Sequence, residues 1–277
     1  MRDRYMKFVI LLFAVFILPS SAFAQVYLAP SSSGGRTKDA LAAAAAAPKP
    51  ATYDKHDFNG VWYGTNPRVY AQKAPPMTAK GQQMFNANKP SRGPRAVVPA
   101  LGNDPQGICD PLGYPRNLWA NNRSFEWFQT PAKWMQAFEW TRAYREVLTG
   151  GQKLAADPDP RWYGWATGKW EGDTFVIDSI GYDERTWIDD LGYPHSEHMK
   201  LQERWTRPAY DTLEMTMTLT DPEIYTMPWV ANKQTYKLQL PMNNTVMEEA
   251  FCVPSENGYF NDHVRTPAGA GKPATVR

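Results

Sequence analysis

The sequence predicts an all-β fold, a mostly antiparallel barrel, and three observations carry that expectation. Short apolar–polar alternations of period two, rich in β-branched and aromatic residues, recur along the chain, and that is the strand signature. Turn chemistry falls between them, at Thr149-Gly150-Gly151, Glu171-Gly172-Asp173 and Asp221-Pro222. All 11 tryptophans lie between Trp62 and Trp229, bulk enough to fill a closed interior. Roughly eight to ten strands in one stretch suit a barrel, with a sandwich as the alternative.

Each element follows from its pattern. Phe58-Asn59-Gly60-Val61-Trp62 opens the first strand. Residues 78–87 read as helix or irregular. Trp134, Gln136, Phe138 and Trp140 share one strand face. Residues 163–170 and 174–179 form a hairpin with its tip at Gly172-Asp173. A helical or irregular excursion occupies residues 183–198. Met199, Leu201, Glu203 and Trp205 then share a face, as do Leu213, Met215, Met217 and Leu219. Tyr236, Leu238 and Leu240 repeat the alternation, and so do Met247, Glu249, Phe251 and Val253.

The ends of the chain read differently. Arg2, Arg4 and Lys7 precede an apolar run over residues 8–18, Pro19 breaks it, and Ala22-Phe23-Ala24 supplies the small-x-small pattern of a cleavage site. Residues 1–24 are therefore expected to be a signal peptide, with Gln25 as the first mature residue and the periplasm or exterior as destination. Residues 25–52, rich in Ala, Ser, Gly and Pro, read as a flexible tether, residues 53–265 as one β domain, and residues 266–277 as a frayed tail.

Charge and cysteines narrow the function classes. The chain has 30 basic and 28 acidic residues; the leader holds three basic and one acidic, which leaves 27 of each. A nucleic-acid partner would show a basic surplus, so none is expected, and contact with a membrane is expected only during export. Cys109 and Cys252 are the two cysteines, and in an oxidising compartment an even count favours a disulfide, with two buried thiols as the alternative.

The Gly60-x-Trp62 pattern resembles the opening strand of lipocalin-like barrels. A longer resemblance runs through Cys109-Asp110-Pro111-Leu112-Gly113-Tyr114-Pro115-Arg116, Gly168-Lys169-Trp170-Glu171-Gly172-Asp173-Thr174, Gly192-Tyr193-Pro194-His195-Ser196, Glu203-Arg204, Asp221-Pro222 with Tyr225, Pro228-Trp229, and Glu249 with Cys252 and Asn257. These residues are similar to a family of exported bacterial β-rich proteins of uncharacterised function. Gly150-Gly151-Gln152 departs from it, since the family tends toward Asp-Gly-Arg there. The resemblance implies export and a shared β fold, and no activity.

The candidate site residues are polar groups on apolar faces and residues of the excursion. Glu203 and Glu249 stand among large apolar neighbours, where a carboxylate takes a partner such as Arg116, Arg145 or Arg204, or takes a proton. His195 follows a turn and is expected at the barrel mouth, with Asp189, Asp190 or Glu203 orienting it. Trp187 and Trp229 are expected at the rim, where aromatic side chains meet a ligand. No metal set has diagnostic spacing, no phosphate or dinucleotide motif occurs, and no cofactor is expected. Three functions follow: a binder of a small apolar or aromatic molecule through Trp187, Trp229, Arg145 and Glu249; a cofactor-independent lyase, isomerase or hydrolase using His195, Glu203 and Asp190; or an envelope scaffold.

Overall fold

The period-two runs become strands where the sequence places them. The structure, a computed structural model, describes residues 49–64, 69–98, 101–119, 124–239, 247 and 250–255. The segments expected as signal peptide, most of the expected tether, Glu249 and the expected C-terminal tail lie outside the described residues. The strands are β1 (Gly60–Gly64), β2 (Ser124–Gln129), β3 (Lys133–Phe138), β4 (Tyr144–Leu148), β5 (Trp165–Glu171), β6 (Thr174–Ile180), β7 (Lys200–Ala209), β8 (Thr212–Thr220), β9 (Trp229–Val230) and β10 (Gln234–Leu238). Strands β1 to β8 pair in sequence order, and β10 sits between β8 and β1, closing a nine-stranded barrel. β9 pairs with the other end of β8, at Thr218 and Leu219.

Neighbours in the ring are antiparallel except β4 and β5, which run parallel and pair only at Val147 with Ala166 and Leu148 with Thr167. The expected barrel is present; in its strand count and its parallel pair it differs from the eight-stranded, up-and-down lipocalin type. The hairpin of β5 and β6 turns at Gly172-Asp173, as its glycine requires: Gly172 has φ +60.

Alternation decides which side chains face inward. Along β7, Leu201, Glu203, Trp205 and Arg207 are buried while Lys200, Gln202 and Arg204 are exposed. The interior is filled mainly by rings. Trp134 stacks on Phe175 with centroids 3.9 Å apart, Trp127 meets Trp205 edge-on at 5.8 Å, and Phe125 meets Tyr236 edge-on at 4.9 Å. Each fully buried ring of this size contributes about 1.5–3 kcal/mol by burial, which is why so much tryptophan lies inside rather than on a rim.

Two further elements brace the ring. Helix α1 (Ala79–Ala87) starts where Thr78 Oγ1 accepts the Gly81 N–H at 3.1 Å. Gly81 lies so close to the 221–225 turn that a Cβ there would meet the Ile224 carbonyl oxygen at 2.3 Å, so the docking needs glycine. Cys109 and Cys252 form a disulfide across 143 residues, a loop closure that stabilises the fold by about 5 kcal/mol in the chain-entropy model.

The C-terminal segment corrects one expectation. Ala250 makes an isolated parallel bridge to Trp140, and Phe251 and Val253 are 55% and 43% exposed, so these two residues of the expected alternation face outward, while Met247 is buried. β10 has already closed the ring, and no edge is left in it for another strand. Cys252 thus ties an irregular segment, not a last strand, to the 310 turn Pro105–Ile108 that ends at Cys109. Among the described residues no helix is long and apolar enough to cross a membrane.

Candidate functional site

Glu203 points into the barrel, as the β7 alternation requires, and is fully buried. Arg145, inward on β4, forks onto it: Nη1 donates to Oε1 and Nη2 to Oε2, both at 2.8 Å. Tyr114 donates to Oε2 at 2.6 Å and Trp205 Nε1 donates to the same oxygen at 2.9 Å. Arg145 Nε donates to Gln136 Oε1 at 2.8 Å, and its guanidinium lies 3.8 Å from the Tyr114 ring centroid. Burial works to lower the Arg145 pKa, but Glu203, with Tyr114 and Tyr182, outweighs it and the net direction is upward, so the guanidinium stays charged. Both side chains are thus engaged by buried partners.

His195 lies away from any mouth. It is buried completely, because the 183–198 excursion folds inward over it rather than looping into solvent. Its Nδ1 sits 3.0 Å from the Ser196 carbonyl and its Nε2 2.6 Å from Thr186 Oγ1. Burial lowers its pKa, so the ring is neutral. The Ser196 carbonyl then requires the proton on Nδ1, and Nε2 accepts from the Thr186 hydroxyl, a tautomer inferred from these partners. The neighbouring Ser196 gives its hydroxyl to Asp221 Oδ1 at 2.9 Å, so it is no nucleophile poised on His195.

The other expected site residues also serve the architecture. Asp190 accepts from Arg116 Nε and Nη2 at 3.1 and 3.0 Å, and Arg116 forks at the same time onto Asp104 at 2.7 and 2.6 Å. Asp189 accepts the Tyr70 and Leu191 N–H groups at 3.0 and 2.9 Å; burial pushes its pKa up to about 6 against those bonds. Trp187 and Trp229 are 4% and 2% exposed, not rim residues. Trp187 packs beside the Arg116 guanidinium at 5.4 Å, and Trp229 is wedged among Tyr70, Tyr193 and Tyr225. Their position in turn-rich sequence suggested a rim, but large rings gain more by closing the barrel than by standing in water. His198 faces outward and pairs with Glu223. Among the described residues no three acidic, histidine or cysteine side chains converge to hold a metal.

The structure opens instead at the parallel seam. β4 and β5 pair at two positions only, and beside them lies a cleft of about 410 Å³. Tyr144, Arg145, Glu146 and Leu148 line it from β4; Pro160, Arg161, Trp162, Tyr163, Gly164, Trp165 and Ala166 line it from the other side. Gly164, with φ +64, lets the chain turn against Tyr182, whose ring a Cβ would meet at 2.6 Å. Asn117 Nδ2 donates to Tyr163 Oη at 3.2 Å, and Trp165 Nε1 donates to the Asp159 carbonyl at 2.8 Å. Arg185 lies 4.2 Å over the Trp162 ring and is itself forked to Asp183. A second hollow of about 350 Å³ shares Leu148 and Trp165 with the first.

Of the expected ligand-binding residues that are described, Arg145 alone lines this cleft, and its charge is directed inward to Glu203. The sequence reading passed over Arg161-Trp162-Tyr163-Gly164-Trp165, which carries a detectable signal: three aromatic residues in five around a glycine break the alternation just before β5. An aromatic-walled cleft of this volume, at the lower end of the range for small-molecule sites, is suited to enclose a flat apolar body. Comparison of the chain with protein-family models, curated proteins and solved structures finds no match.

Proposed function

We propose that the protein is an exported barrel that binds a small, largely apolar or aromatic molecule in the β4–β5 seam cleft. The observation that carries this reading is the cleft itself: about 410 Å³ walled by Tyr144, Trp162, Tyr163 and Trp165, beside an interior whose charges are already satisfied. Export is supported by the basic, apolar and small-residue succession at 1–24 and by the Cys109–Cys252 disulfide, which fits an oxidising compartment such as the periplasm. Acid–base catalysis has no support in the geometry, since His195 and Glu203 are each held by other partners.

Native mass spectrometry of protein recovered from the periplasm, followed by ligand-observed NMR with aromatic fragments, tests the reading. A co-purified small molecule or fragment binding is expected. Tyr144 is 58% exposed, so Tyr144→Ala is expected to leave the melting temperature unchanged and to weaken binding by about three- to tenfold. Bare protein in the native spectra, together with no fragment response, would remove the proposal.

A further inference from the structure

The seam cleft holds a guanidinium that no carboxylate among the described residues neutralises, and we infer that the bound molecule is an aromatic carboxylate. This rests on the binding reading above. Three charged residues line the cleft, and two are spoken for: Arg145 is forked to Glu203, and Glu146 is paired with Lys133. Arg161 has no acidic partner among the described residues.

Arg161 is also held in place. Its N–H donates to the Gly181 carbonyl at 2.9 Å, and its own carbonyl accepts from Asp183 and Gly164 at 3.0 and 3.1 Å. Its guanidinium lies on the Trp165 ring, 3.2 Å from the centroid, and that ring is anchored by its own bond to Asp159. Stacking occupies a face of the guanidinium plane and leaves the N–H groups free, because they lie in the plane and point outward from its edge. An edge of two parallel N–H bonds matches a carboxylate. One unneutralised positive charge matches one negative charge, and Glu146 on the same wall disfavours a dianion. The ring of such a ligand would lie against Tyr144, Trp162 and Tyr163, partly shielding the ion pair from water and so strengthening it.

Isothermal titration calorimetry on the mature chain tests this with benzoate, naphthoate and indole acetate, each beside its neutral amide. At least one acid is expected to bind about tenfold more tightly than its amide, and its affinity should fall as salt is added. In Arg161→Gln that preference should vanish, with acid and amide binding alike at the level of the wild-type amide and the melting temperature unchanged. Arg161→Lys keeps the charge but not the fork and should fall between the two. Acids and amides binding equally to the wild-type chain would overturn the carboxylate inference and leave the binding reading standing. A preference that survives in Arg161→Gln would overturn it too, because another group would then be reading the charge. Binding of no probe would overturn both.

Discussion

The barrel interior and the seam cleft share Arg145, yet they treat charge in opposite ways. Inside, the Arg145–Glu203 pair is closed on itself: one carboxylate takes four hydrogen bonds, from the guanidinium, Tyr114 and Trp205, with no solvent contact. At the seam, Arg161 keeps its edge donors unclaimed beside a wall of rings. A polar group deep in an apolar core is easily mistaken for a reactive one. Here the depth itself enforced saturation, since a buried charge left unpaired costs several kcal/mol, and the capacity to bind remains where the wall is incomplete.

The comparison breaks first at Glu203. Glu203→Gln leaves the Arg145 charge buried without its counter-ion and is expected to cost about 3–5 kcal/mol, read by urea unfolding. Loss of less than about 1 kcal/mol, the scale of an exposed pair, would mean that water reaches this pair and that the interior is not closed. Ligand affinity at the seam should change far less than stability.

Asp189 sharpens the same contrast, because it is buried with backbone donors instead of a forked arginine. Its folded pKa, pushed up to about 6, lies above the unfolded value of about 3.9. Below about pH 4 both states hold the proton and the group contributes nothing. As pH rises from about 4 to 6 the unfolded chain releases the proton first, so stability falls, by about 3 kcal/mol in all. His195 slopes the other way: its pKa is lowered by burial, so its contribution is present above about 6.5 and is lost as pH falls below it. Unfolding measured between about pH 4 and 7 for the wild type and Asp189→Asn should therefore give a difference that changes across this window. A constant difference would mean that Asp189 is not desolvated as its burial implies.

The smallest of the three effects is at His195. Its removal in His195→Ala takes one partner from the Thr186 hydroxyl, which keeps the Asp183 carbonyl, and one from the Ser196 carbonyl, which keeps the Met199 N–H. The cavity left by the buried ring sets the cost, roughly 1–3 kcal/mol. A thermal melt unchanged from wild type, with binding abolished, would return His195 to a working role at a mouth.

How much of this was legible in sequence depended on whether a signal was local. The faces of β3, β7 and β8 follow from period two, whereas residues 78–87 stood only as helix or irregular, because no apolar stripe marks them. The disulfide follows from cysteine parity and compartment. The partner of Glu203 was reachable only as a short list of arginines, because choosing Arg145 requires knowing that β4 and β7 face each other across the interior. His195 was misplaced for a related reason: a turn in the sequence marks a change of direction, not exposure, and residues 183–198 turn inward. The seam was invisible, since a period-two strand looks the same whether its neighbour runs parallel or antiparallel.

The location of that seam has a cause that precedes any side chain. Around a closed ring, each antiparallel step reverses direction, and the chain directions must agree again after one full circuit. An all-antiparallel ring therefore needs an even number of strands, and nine is odd. One parallel neighbour is compulsory, and a parallel neighbour cannot be reached by a tight hairpin; it needs a long crossover. Residues 149–164 are that crossover, and it delivers Arg161, Trp162 and Tyr163 to the wall they line. Adding or deleting one strand of the ring would restore even parity and abolish the need for this opening, so the cleft is tied to the strand count as firmly as to the residues within it.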